Sequence, residues 1–81
     1  MNKKIIDSVA RSLGIDYSEA NEQLENAETW MLESIQVISI VAGFEEDFGI
    51  EINPDQFDQF HKMSDIFEVV GGLISDKKRV I

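Results

Sequence analysis

Three observations predict an all-α fold, a small four-helix bundle with a long loop between helices 1 and 2 and a short third helix. Ile5, Ile6, Val9, Ala10 and Leu13 recur at helical spacing, and Ile35, Val37, Ile38, Ile40, Val41, Ala42, Phe44 and Phe48 cover a second, wider helical stripe. A glycine stands after each run, Gly14 and Gly49, where a left-handed C-terminal cap is common. No two alternating apolar runs face each other as candidate strands, and 81 residues suffice for one core only. A single domain over 1–81 follows, with its core at about 3–75 and a frayed tail at 76–81.

The first helix is expected over about residues 3–13. From Ile15 to Glu33 the periodicity is weak, so this stretch reads as a long connection with room for a short helical turn after Ser18, anchored on the core by Leu24 and Trp30. Ordered connections of this length are uncommon and often functional, which directs attention to its end at Leu32-Glu33-Ser34. The second helix spans Ser34 to Phe48, with Ser34 in the N-cap position and Glu33 suited to the positive end of the dipole. Ile50-Glu51-Ile52 is extended. Asn53-Pro54-Asp55 then supplies a cap, a first-turn proline and a first-turn acid for a short third helix expected to bury Phe57, with Phe60 as a second candidate. Ser64 caps a last helix built on Ile66, Phe67, Val69, Val70, Leu73 and Ile74, whose end Gly71-Gly72 weakens by about 1 kcal/mol per glycine.

Charge and composition remove whole classes of function. The formal net charge is −9, with 16 acids against 7 Lys plus Arg, which disfavours phosphate-backbone binding and an anionic membrane surface. No cysteine is present, so any thiol chemistry has to be imported. No apolar run is long enough to span a membrane, and charge comes too early after Met1 for a signal peptide, so a cytoplasmic location is expected. His61 is the only histidine, and neither a calcium loop, a phosphate loop nor a nucleophile elbow occurs. Catalysis by this chain, and a metal site in it, are therefore not expected.

From the residues alone, Ser34 reads first as a plain N-cap serine. A helix N-terminus is also where backbone N–H groups and the dipole tolerate a phosphate, although Glu33 opposes one.

The run from Glu33-Ser34-Ile35 through Glu45-Glu46-Asp47 to Phe48-Gly49-Ile50-Glu51-Ile52 resembles, without a gap, the signature of the acyl carrier protein family. That signature is an Asp-Ser-Leu motif opening the second helix, an acidic triplet ending it, then Phe-Gly-Ile, an acid and Ile. Leu13-Gly14-Ile15 and Phe60-His61-Lys62-Met63-Ser64-Asp65-Ile66 resemble the end of the family's first helix and its link into the fourth. The resemblance implies a bundle of the acyl-carrier type and a non-catalytic carrier. Ser34 would receive 4′-phosphopantetheine from coenzyme A through a phosphopantetheinyl transferase, and the arm would hold acyl groups as thioesters. Glu33, Glu45, Glu46 and Asp47 would address basic patches on acyl-loading and acyl-processing enzymes, with Ile35, Ile38, Ala42 and Ile52 as apolar positions beside the arm. Packing is the competing role for these four, and the favoured one for Ile52.

Glu33 stands where the family usually has Asp, Met31-Leu32 replaces a small pair, and Gln36 and Ser39 take positions usually acidic. These departures point toward a specialised lipid or secondary-metabolite pathway. An aminoacyl, D-alanyl or peptidyl carrier, or an unmodified acidic adaptor for a basic protein, stand as alternatives. The expected state is a monomer.

Between Arg11 and Lys62 no basic residue accompanies twelve carboxylates. Their mutual repulsion is screened by salt. Moderate NaCl or a divalent cation is therefore expected to raise the melting temperature; a melt that is flat or falls with NaCl contradicts this.

Overall fold

Among the described residues, four α-helices and one 3-10 helix follow one another: α1 (Lys3–Leu13), α2 (Tyr17–Leu24), α3 (Ser34–Phe48), the 3-10 helix (Pro54–Gln59) and α4 (Met63–Lys78). The computed structural model describes the backbone of residues 3–78 and the side chains of residues 3–74. α1 and α3 have the expected bounds. Gly14 and Gly49 adopt left-handed φ values of 68° and 63°. At Gly14 the turn is closed by the Ile15 N–H donating to Ala10 C=O at 3.0 Å, the six-to-one bond of a Schellman cap.

Two elements are longer than the sequence predicts. The connection after Gly14 holds not a brief turn after Ser18 but the two-turn helix α2, which starts at Tyr17. Its signal is faint because only Ala20 and Leu24, one turn apart, are buried. α4 continues through Gly71-Gly72 to Lys78, beyond the expected core limit at 75. The rest of the expected frayed tail, 79–81, lies outside the described residues. The short third helix is the 3-10 segment, capped by Asn53 Oδ1 accepting from Asp55 N–H at 2.9 Å. Its burial inverts the expected order: Phe60, just past its end, is 5% exposed, whereas Phe57 is only half-buried.

The core runs along one face of each of the four α-helices, the 3-10 segment contributing no buried residue. Ile6 and Val9 of α1, Ile40, Val41 and Phe44 of α3, and Met63, Ile66 and Val70 of α4 are all buried. Phe44 also meets Phe48 edge to face at 5.8 Å, and Lys4 Nζ lies 5.0 Å from the Phe48 ring centre, a cation–π contact that closes the α3 end against α1.

α1 and α3 approach closely where Gly43 faces Ser8 and Ser12. A Cβ on Gly43 would lie 3.3 Å from Ser8 Oγ and in collision with Ser12 Oγ. Ser8 is fully buried there, and its hydroxyl has no hydrogen-bond partner among the described residues. An unpartnered buried hydroxyl costs about 1–3 kcal/mol, and alanine is the better helix former. Ser8→Ala is therefore expected to stabilise the fold by about 1 kcal/mol or more, seen as a higher urea midpoint; a lower midpoint would contradict the unpartnered hydroxyl.

Candidate functional site

Ser34 is exposed and is the first residue of α3, one position further into the helix than an N-cap. The capping residue is Glu33, in extended geometry at φ −82° and ψ 159°. Its own N–H donates to Gln36 Oε1 at 2.8 Å, so Glu33 and Gln36 form a capping box around the helix start. The Ser34 hydroxyl is thereby released from the capping role that the sequence suggested. The N–H groups of Ser34 and Ile35, as at any helix start, have no acceptor within the helix.

The position of this helix start is set from the far end of the chain. Leu32 N–H donates to His61 C=O at 3.0 Å, Met63 N–H to Trp30 C=O at 3.0 Å and Ser64 N–H to Ala27 C=O at 3.1 Å. Met31 and Lys62 form an isolated antiparallel bridge. On the other side of that bridge, Asp65 Oδ2 accepts from His61 N–H at 3.0 Å and Lys62 N–H at 3.1 Å, so Asp65 rather than Ser64 organises the entry into α4. The long connection thus ends in a backbone clamp two residues before Ser34.

Ser34 stands on the rim of a groove of about 460 Å³ between α3 and the 3-10 helix, lined also by Leu32, Val37, Ile38, Phe57, Phe60 and His61. The exposed isoleucines, three residues apart, share one face of α3 and border different grooves. Ile38, 54% exposed, lines this groove, and Ile35, 70% exposed, lines a second one toward α1 and α2. Met31, 66% exposed, adds apolar surface just before the helix. Ala42 is exposed one turn beyond Ile38. Ile52, in contrast, is 4% exposed and belongs to the core, so it offers no surface to a partner.

The acidic triplet at the end of α3 divides by role. Glu45 Oε2 accepts the Ile52 N–H at 2.9 Å, tying the extended segment to α3. Asp47 pairs with the Arg11 guanidinium across the α1–α3 junction. Glu46 remains exposed, with its carboxylate turned to solvent beside Ala42. Of the docking residues expected from sequence, Glu33, Ile35, Ile38, Ala42 and Glu46 are therefore on the surface, with Glu33 also capping. Sequence reasoning missed Gln36 and Asp65. The Glu33-x-x-Gln36 spacing was a readable capping signal, obscured by the serine between them.

The chain belongs to the phosphopantetheine-binding carrier family that includes the acyl carrier proteins: the family model described as a phosphopantetheine attachment site matches residues 3–70. Among curated relatives, it is 28% identical over 68 residues to an acyl carrier protein of Syntrophobacter fumaroxidans, covering 84% of each chain. It is 24% identical over 68 residues to the acyl carrier protein of Solidesulfovibrio magneticus, covering 84% of this chain and 87% of that one. It is also 24% identical over 70 residues to that of Buchnera aphidicola subsp. Baizongia pistaciae, covering 86% and 90%. No solved structure matches significantly. The cofactor of the family is 4′-phosphopantetheine. The residues here fit it: an exposed serine hydroxyl free of capping, at a helix N-terminus, on the rim of a groove.

Hydrogen bonds from His61 N–H hold the Asp65 carboxyl below its ordinary value of 3.8, against an opposing push from burial and with further help from Lys62 N–H and the charges of Lys62 and His61. A carboxyl that titrates lower folded than unfolded contributes stability above about pH 4 and loses that contribution as pH falls through the folded value. Asp65→Asn is expected to cost about 1 kcal/mol at pH 7 and progressively less toward pH 3. Urea midpoints at the two pH values check this; an equal deficit at both contradicts the assignment.

Proposed function

We propose that Ser34 carries the 4′-phosphopantetheine arm and that the chain is an acyl carrier, delivering acyl thioesters to partner enzymes in a specialised pathway. The observation that carries the reading is the exposed Ser34 hydroxyl at the first residue of α3, with the capping work done by Glu33 and Gln36. The bound arm supplies the thiol that a chain without cysteine lacks. What the chain itself contributes is position. The clamp at Leu32 and His61 fixes where α3 begins, the helix N-terminus favours the negative charge of a phosphodiester, and the adjacent groove offers the arm an apolar wall at Val37, Ile38 and Phe57. No step of bond making is assigned to the chain, which acts as substrate and carrier for other enzymes, as a cytoplasmic monomer.

Incubation with coenzyme A and a broad-specificity phosphopantetheinyl transferase is expected to add one phosphopantetheine by intact mass, and none in Ser34→Ala. Because Ser34 is not the cap, Ser34→Ala should unfold within about 0.5 kcal/mol of the parent, as surface substitutions commonly do. Absence of a mass gain, or a gain that persists in Ser34→Ala, sinks the reading and favours an unmodified acidic adaptor.

Docking centres on Ile35, Ile38 and Ala42, with Glu46 as the acid of the triplet free to meet a basic patch. Glu46→Lys is expected to slow association with partner enzymes severalfold at low salt, an effect that fades at high salt. Glu45→Ala should instead lower stability by about 1 kcal/mol through the loss of the Ile52 bond. Stopped-flow association rates and urea midpoints separate the two; equal rates for Glu46→Lys and the parent at low salt exclude Glu46 from the contact.

A further inference from the structure

The flank of α3 facing away from the 3-10 helix carries a groove of about 360 Å³ between α1, α2 and α3. Its apolar wall includes Trp30, half-buried, with Leu13 and Ile15. Its polar lining residues are Glu19, Ser12, Ser39, Gln23 and Gln36, and no basic residue among the described ones lines it. Pockets for small molecules run from about 300 to 1,000 Å³. This one therefore has room for one long side chain rather than for a helix or an extended peptide.

The lining selects the chemistry of that side chain. An anion would meet Glu19, with Asp16 and Glu22 close by in sequence and no compensating cation in the groove. A purely apolar side chain would cover the carboxylate and hydroxyls without bonding them, which costs free energy. A guanidinium answers both halves of the surface: its flat face stacks on an indole, and its N–H edge donates to a carboxylate and neutral oxygens. We propose that this groove is a docking subsite for an arginine side chain presented by a partner protein. The proposal rests on the reading that the chain docks on partner proteins, though not on the modification of Ser34. Gln36 links the two sites, because it lines the groove while its Oε1 holds the Glu33 N–H at the start of α3.

The test uses the full chain carrying Ser34→Ala, which leaves arm attachment out of the measurement. The probes are acetyl-Gly-Arg-Gly-amide and its citrulline counterpart, the same shape without the charge. Trp30 is the only tryptophan, so its fluorescence reports on this groove directly. A saturable fluorescence change with the arginine peptide is expected, at least tenfold weaker with citrulline and about tenfold weaker in Glu19→Gln, an exposed substitution whose fold is checked by circular dichroism. No saturable response, an equal response to citrulline, or an unaltered response in folded Glu19→Gln overturns the proposal. Failure of Ser34 to accept phosphopantetheine would leave this result standing, so the two readings fail separately.

Discussion

The antiparallel meeting of Trp30–Leu32 with His61–Met63 is the constraint on which the placement of every functional residue depends. The segment between α2 and α3 has little regular structure of its own, and its backbone polar groups need partners wherever they leave water. Asn26 and Thr29 find them locally, on Gln23 C=O and Asn26 C=O, whereas Ala27, Trp30 and Leu32 find them at the entry to α4. Asp65 bonds the His61 and Lys62 amides from the opposite side, so the strip that receives the loop is itself held. Half-buried Trp30 and Leu32 then pack against the core at the points where the backbone is bonded. Without the clamp, α3 would retain its helical pattern but its first residue would lose a fixed address relative to the 3-10 helix and the groove between them.

The acids of this chain divide between internal and external work. Asp65 and Glu45 accept backbone N–H groups, Asp47 holds Arg11, and Glu33 caps α3. Each offsets part of the repulsion that a net charge of −9 imposes by bonding a group that would otherwise lack a partner. Glu19 and Glu46 remain exposed on different faces, one beside the α1–α2–α3 groove and one beside Ala42. Glu22, Glu25, Glu28, Glu51, Asp55 and Asp58 are exposed as well, so the negative field is broad, and Glu19 and Glu46 are two points in it that border a groove.

Much of the fold was legible because its strongest signals are local. α1 and α3 were readable from apolar spacing closed by Gly14 and Gly49, whose left-handed φ values bear out the expectation. Ser34 was readable from its place ahead of the most apolar helix and from the motif that follows it. α2 was not, since a helix of eight residues with two buried positions leaves almost no periodic trace. The clamp was illegible for a different reason: backbone hydrogen bonds across thirty residues use no particular side chain, so no residue type announces them. The triplet Glu45-Glu46-Asp47 reads as one acidic unit in sequence, but successive residues of a helix point in different directions, and that rotation gave Glu45 the Ile52 N–H, Asp47 the Arg11 guanidinium and Glu46 the solvent.

The step of Ser34 from cap to first helical residue also has a mechanical meaning. In an α-helix the Cα–Cβ bond leans toward the N-terminus, so this side chain projects past the end of a rod whose other side chains stand behind it. Only the torsions about Cα–Cβ and Cβ–Oγ separate the rod from whatever the oxygen bears. The joint is short and stiff at its root, and its sweep begins beyond the tip of the helix, with exposed Ile35 and Ile38, on one side of it around the helix, as the first surfaces it would brush.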